Sequence, residues 1–132
     1  MPFHRFEDIE AWQEASNLTK LVYDSTETWK DFALRDQTRQ ASVSVIANIA
    51  EGIRRATTGD CARFLDIAQG SALETASHLY VALDLEYLDR TTFDELYGLA
   101  TTLNKTIGAL AKYLKQSKSR PRSSSRRPAT SD

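Results

Sequence analysis

Residues 47–55 read ANIAEGIRR: Ala47-Asn48-Ile49-Ala50-Glu51-Gly52-Ile53-Arg54-Arg55. The stretch continues an apolar run that begins at Val43, yet it holds an amide and a carboxylate three residues apart and ends on a glycine and two arginines. At about 100° per residue, Val43, Val45, Ile46, Ile49, Ala50 and Ile53 make one broad apolar side of a helix. Gln37, Ser44, Asn48, Glu51 and Arg55 form a polar line bordered by Ala41 and Ala47, with Glu51 and Arg55 at the i, i+4 spacing of a helical ion pair. Such a line is ordinarily a solvated face. The flanking alanines argue otherwise, because small side chains let a second helix approach, and Asn48 and Glu51 then need partners between the helices. Gly52 costs about 0.5–1 kcal/mol relative to alanine inside a helix, so it reads as a point of close approach. No preceding strand or second glycine at loop spacing supports a phosphate cradle. Gly70-Ser71 reads the same way. Arg39 falls on the apolar side of this helix, where it is expected to snorkel or to pair with Asp36 or Glu27.

Outward from this helix the pattern stays helical. Between Glu7 and Lys115 there is no proline and no run alternating at period two, so strands are not expected. Ala11, Trp12, Ala15, Leu18, Thr19, Val22, Tyr23 and Thr26 share one side of a first helix. Phe93, Leu96, Leu99, Ala100, Leu103, Ile107, Leu110 and Leu114 form the stripe of a fourth, with Thr91 or Thr92 as its expected N-cap and Glu95 completing a capping box. The third helix carries Cys61, Phe64, Leu65, Ala68, Ala72, Ala76, Leu79 and Leu83 on one stripe. Ile67, Val81 and Leu85 lie to one side of it, and Leu73, Tyr80 and Tyr87 to the other. Thr57-Thr58-Gly59-Asp60 is expected to turn the chain, with Asp60 as N-cap. The expected fold is all-α: an antiparallel up-down four-helix bundle over residues 1–116. Its two middle helices carry more apolar surface than one monomer covers, which predicts an oligomer.

The chain has 132 residues, 41% hydrophobic and 27% charged, an ordinary balance for one globular domain. The net charge of −1 conceals a division. Residues 117–132 hold Lys118, Arg120, Arg122, Arg126 and Arg127 against one acid, leaving 12 basic and 17 acidic residues in 1–116 out of totals of 17 and 18. The body is therefore acidic, and any nucleic-acid surface must be local. The tail, rich in Ser, Arg and Pro and without an aromatic or large aliphatic residue, is expected to be disordered. One cysteine and no apolar leader or span fit a cytoplasmic protein.

Enzyme constellations are poor. Glu74 and His78 are four apart where a di-iron bundle needs Glu-x-x-His, and no second such motif occurs. Cys61 lies on an apolar stripe and has no histidine beside it in sequence. Catalytic, cofactor and metal residues are none, and the protein is expected not to be an enzyme.

Three segments together resemble a known family: Phe6-Glu7-Asp8-Ile9 with Trp12 and Ala15; Gln37, Arg39, Ala41 and Ser44 leading into Asn48-Ile49-Ala50-Glu51-Gly52; and Phe64-Leu65 with Ile67-Ala68, Gly70-Ser71 and Glu74. The family is that of bacterial four-helix bundle proteins first met as reading frames inside 23S ribosomal RNA intervening sequences. The resemblance covers about residues 3–115. It implies a cytosolic four-helix protomer that assembles into a ring, commonly a homopentamer, without enzymatic activity. Fold relatives serve as accessory variability proteins of retroelements, where a basic ring surface meets nucleic acid and a reverse transcriptase. That last partner reaches this chain only by distant fold analogy, and the acidic body argues against it. Relatives often have proline where this chain has Ile46, which predicts a straighter second helix.

The sequence thus predicts a non-enzymatic homo-oligomeric scaffold that binds RNA or DNA, the alternative being an oligomeric protein-interaction module without nucleic acid. No membrane partner is expected. Candidate nucleic-acid residues are Arg54, Arg55, Arg63, Lys118, Arg120, Arg122, Arg126 and Arg127. Candidate assembly and packing residues are Arg39, Ser44, Asn48, Glu51, Gly52, Gly70, Ser71 and Glu74. Asn48 and Glu51 are expected to fix helix register, with Arg54 and Arg55 left free for a partner.

Overall fold

A computed structural model describes residues 5–55 and 57–119, with side chains through residue 116. A single 3-10 turn, Phe6–Asp8, leads into four helices: α1 (Glu10–Thr26), α2 (Phe32–Arg54), α3 (Thr58–Asp84) and α4 (Arg90–Ser119). There is no strand among the described residues. α1 packs on α2 and α4, and α3 packs on α2 and α4. Short connections at 27–31, 55–57 and 85–89 join the helices, so successive helices reverse direction and the fold is the expected up-down four-helix bundle. The boundary expected at residue 116 falls inside α4, which continues through Ser119.

The predicted stripes meet on the bundle axis. Leu18 and Val22 of α1, Val45 and Ile49 of α2, Leu65, Ala72 and Leu79 of α3, and Leu103 and Ile107 of α4 are essentially inaccessible. α2 departs from expectation at its edges. Its buried side is Thr38, Ala41, Ser42, Val45, Ile49 and Gly52, while Val43, expected within the apolar side, is 42% exposed. Arg39 finds neither Asp36 nor Glu27. Its Nε donates to Thr26 Oγ1 at 2.8 Å and its Nη2 to the Tyr23 carbonyl at 3.2 Å, with the guanidinium 4.5 Å over the Tyr23 ring. Asp36 is held by Arg35 instead. Ile46 sits within an uninterrupted α2.

Two caps lie upstream of their expected positions. The Thr57 hydroxyl accepts the Asp60 backbone N–H at 3.1 Å, so Thr57 caps α3 and Asp60 adds negative charge to its first turn. The Asp89 carboxylate accepts the Thr92 N–H at 2.7 Å and caps α4 ahead of both expected threonines. That bond pulls the Asp89 carboxyl below its ordinary range. In each case the residue just before the helix satisfies an otherwise unpaired N–H, and the residue three positions later is already helical. α3 ends with the Tyr87 N–H on the Ala82 carbonyl at 2.8 Å and the Glu86 N–H on the Leu83 carbonyl at 3.0 Å. This reversal requires a left-handed residue, a place glycine usually fills, and here Glu86 takes it at φ 64°.

Candidate functional site

ANIAEGIRR lies along the α2–α3 seam. Ser44 and Ser71 meet hydroxyl to hydroxyl at 2.8 Å across it. Asn48 Nδ2 donates back along α2 to the Ser44 carbonyl at 2.8 Å and to its Oγ at 3.1 Å. Asn48 therefore orients the serine that touches α3 and does not itself cross the seam. Thr75 Oγ1 donates to the Ser71 carbonyl at 2.9 Å, extending the polar line into α3. One turn beyond Asn48, Gly52 is buried, and a Cβ on it would stand 3.2 Å from the Cys61 carbonyl oxygen and 3.3 Å from Phe64 Cβ. The close approach expected at Gly52 is present. At Gly70 it is absent, since an added Cβ would meet nothing within 4 Å. Gly70 faces outward from the protomer.

The double arginine is not free. Glu51 accepts from Arg54 Nη2 at 2.6 Å and from Arg55 Nη2 at 2.8 Å. Its side chain is 32% exposed and has no bond to Asn48, so it is a half-exposed acceptor between two arginines rather than a buried register pin. The Arg54 hydrogen bond, against a smaller opposing effect of burial, lowers the Glu51 carboxyl below its ordinary range, and Glu51 in turn raises Arg54. Arg55 and Arg63 cover the Phe64 ring, with guanidinium carbons 4.6 and 4.5 Å from its centroid. Arg55 Nε is buried without an acceptor, and Arg63 reaches only to 4.0 Å from Asp60. Three arginines thus gather at the α2–α3 turn with two carboxylates among them. α4 descends to this same end of the bundle and delivers Lys118 in its last turn. The Lys118 side chain and all of Arg120, Arg122, Arg126 and Arg127 lie outside the described residues. Glu74 is exposed and stands 3.9 Å from His78 Nε2 on its own helix.

Beside the seam lies the apolar exterior expected of the two middle helices. Among the described residues eleven large hydrophobic ones are exposed, and eight of them, Phe32, Val43, Ile67, Leu73, Tyr80, Val81, Leu85 and Tyr87, belong to α2, α3 or the turn after α3. The rings of Tyr80, Phe93 and Tyr97 pack together with centroids 4.8–5.3 Å apart, and Tyr87 lies against Trp29 while donating to Asp31. Periodicity alone does not reveal these aromatic groupings, because each joins residues from two helices or from two turns. Gly108 is a second close-approach glycine, its added Cβ 3.0 Å from Gln69 Nε2, and that amide donates to the Asn104 carbonyl at 3.1 Å. Among the described residues no three His, Cys, Asp or Glu side chains gather as metal ligands, and no helix is long and apolar enough to cross a membrane.

The family model described as 23S rRNA-intervening sequence protein matches residues 7–109. No curated protein matches significantly. Among solved structures, a protein of unknown function from the S23 ribosomal protein family of Bacteroides thetaiotaomicron VPI-5482 is similar to this chain. The two share 24% identity and a TM-score of 0.68, over 77% of this chain and 94% of that one. At that identity the likeness concerns the fold.

Proposed function

The chain belongs to the family of 23S rRNA-intervening sequence proteins, and from that premise we propose that it is a non-enzymatic homo-oligomeric scaffold whose arginine end engages RNA or DNA. The observation that carries the assembly reading is the concentration of exposed apolar residues on α2 and α3, in a chain whose core is already closed. Fully burying a large aliphatic side chain is worth about 1.5–3 kcal/mol, so covering several half-exposed ones on each of two partners can offset the entropy of association. The outward Gly70 and the exposed Ile67 and Val81 suit the close packing of a second copy. A ring of five is the expected number.

The nucleic-acid reading is favoured by topology. The antiparallel order brings the α2–α3 turn, with Arg54, Arg55 and Arg63, to the same end as the C-terminus of α4, from which the arginine-rich segment continues. A ring repeats that end around its axis, and weak phosphate contacts then add by avidity. Binding to mixed RNA and DNA tests this. Chain truncated after Ser119 should keep its mass and show a flatter slope of log affinity against log salt. No detectable binding of the full chain at about 50 mM salt would leave the protein-interaction scaffold in its place.

A further inference from the structure

The end of the bundle opposite the arginines has its own chemistry. Residues 24–36 and 84–95, which hold the α1–α2 and α3–α4 turns, carry nine acids (Asp24, Glu27, Asp31, Asp36, Asp84, Glu86, Asp89, Asp94 and Glu95) and three bases (Lys30, Arg35 and Arg90). Several of these acids are engaged: Asp31 and Asp89 cap helices, and Asp24, Asp36 and Asp94 are ion-paired. Among the described residues, the side chains of Glu27, Asp84, Glu86 and Glu95 have no hydrogen-bonded or ion-paired partner. Among them stand Phe32 at 58%, Leu85 at 50% and Tyr87 at 38% exposure, the last resting on the buried Trp29. The surface is therefore aromatic, apolar and electronegative together, a combination that suits arginine, whose guanidinium stacks on rings while pairing with carboxylates. Glu86 sharpens the point. It occupies a left-handed position that glycine would fill without strain, and it is exposed.

We infer that this end is a docking surface for an arginine-rich segment, and that its occupant is residues 118–127 of a second copy of the chain. The charge match is direct: that segment carries five cations and no acid. It cannot serve its own protomer. α4 separates Arg90 from Ser119 by about 45 Å at 1.5 Å per residue, whereas residues 120–127 span at most about 29 Å when fully extended. Docking in trans links protomers end to end. It also sets the acidic end in competition with nucleic acid for the same arginines. The docking surface uses Phe32, Leu85 and Tyr87 at the end of the bundle, whereas the proposed assembly face is read from Val43, Ile67, Leu73, Tyr80 and Val81 along the helices, and docking is tested without nucleic acid present.

The receptor for the test is the full chain with Arg120, Arg122, Arg126 and Arg127 all replaced by serine, so that its own tails do not compete. The probe is a labelled peptide of residues 117–132, followed by anisotropy at about 50 mM salt, where surface charges are only partly screened. Saturable binding is expected. Asp84→Lys with Glu86→Lys should weaken it about tenfold or more, and Glu86→Gly should weaken it while leaving the melting temperature equal or higher. Glu7→Lys with Asp8→Lys, at the other end, should leave it unchanged. Absence of binding, or equal loss from reversals at the two ends, overturns the proposal. A peptide with every arginine changed to lysine separates stacking from charge alone: weaker binding supports the aromatic surface, and equal binding overturns its role.

Discussion

α3 and α4 are the two longest helices, 27 and 30 residues, and each lays a continuous apolar stripe into the core, but they turn different surfaces outward. Among its described side chains α4 exposes one large hydrophobic residue, Tyr113, whereas α3 exposes Ile67, Leu73, Tyr80 and Val81 and adds Leu85 and Tyr87 just past its end. Tyr80 and Tyr87 are partly used within the protomer, against Phe93 and Tyr97 and against Trp29, whereas Ile67, Leu73 and Val81 are the residues that the proposed assembly would cover. α1 and α2 repeat the contrast more weakly, with Tyr23 exposed on α1 and Phe32 and Val43 on α2.

The strongest way to break that comparison is to place charge on both outward faces. Ile67→Glu with Val81→Glu should weaken assembly by about a hundredfold or more, since two desolvated carboxylates would oppose the contact, while Thr102→Glu with Lys105→Glu on exposed α4 should leave the mass unchanged. Sedimentation across a concentration series reads both. Next in size is the seam. Gly52→Val drives a branched side chain toward the Cys61 carbonyl and Phe64, and should cost about 2–3 kcal/mol in denaturant unfolding. The outward glycines give a smaller and more discriminating pair. Gly70→Ala and Gly98→Ala both place a Cβ in open space and should each stabilise the protomer by about 0.5–1 kcal/mol through helix propensity. Only the Gly70 change should also shift the assembly equilibrium.

The smallest effect on stability belongs to Glu51→Ala. Glu51 has a lowered carboxyl pKa in the fold, so its stabilisation is present above the ordinary carboxylate value of 4.5 and is lost as pH falls through the lowered one. The variant should melt almost with the parent at neutral pH and lose slightly less stability than the parent on acidification. It also releases Arg54 and Arg55, so affinity for nucleic acid should rise and the salt slope steepen. A fall in affinity would show that Glu51 orients the arginines rather than occupying them.

The architecture was legible in the residues because four stripes of period 3.6 and three short turns leave few arrangements. The family was legible in ANIAEG and the IA-x-GS segment, which specify more than periodicity does. The details that went astray depend on a neighbour. Thr57 and Asp89 outcompete Asp60 and the Thr91–Thr92 pair as caps because the first helical residue is fixed by backbone geometry that the spacing does not reveal. Arg39 meets Thr26 and the Tyr23 carbonyl because α1 lies over that side of α2. Glu51 is contested by two arginines, where spacing had suggested one, since Arg54 at i+3 is as near as Arg55 at i+4. The acidic, aromatic end was invisible as a unit, because its residues come from two turns that only the bundle brings together.

The central claim is that the outward apolar residues of α2 and α3 are an interface between copies. The mass of the full chain in solution, by light scattering at micromolar concentration, tests it most directly. An integer multiple of 14.8 kDa, fivefold for the expected ring, that falls in the Ile67→Glu, Val81→Glu variant is the predicted result. A parent chain that stays at 14.8 kDa, well folded and monodisperse, would contradict it.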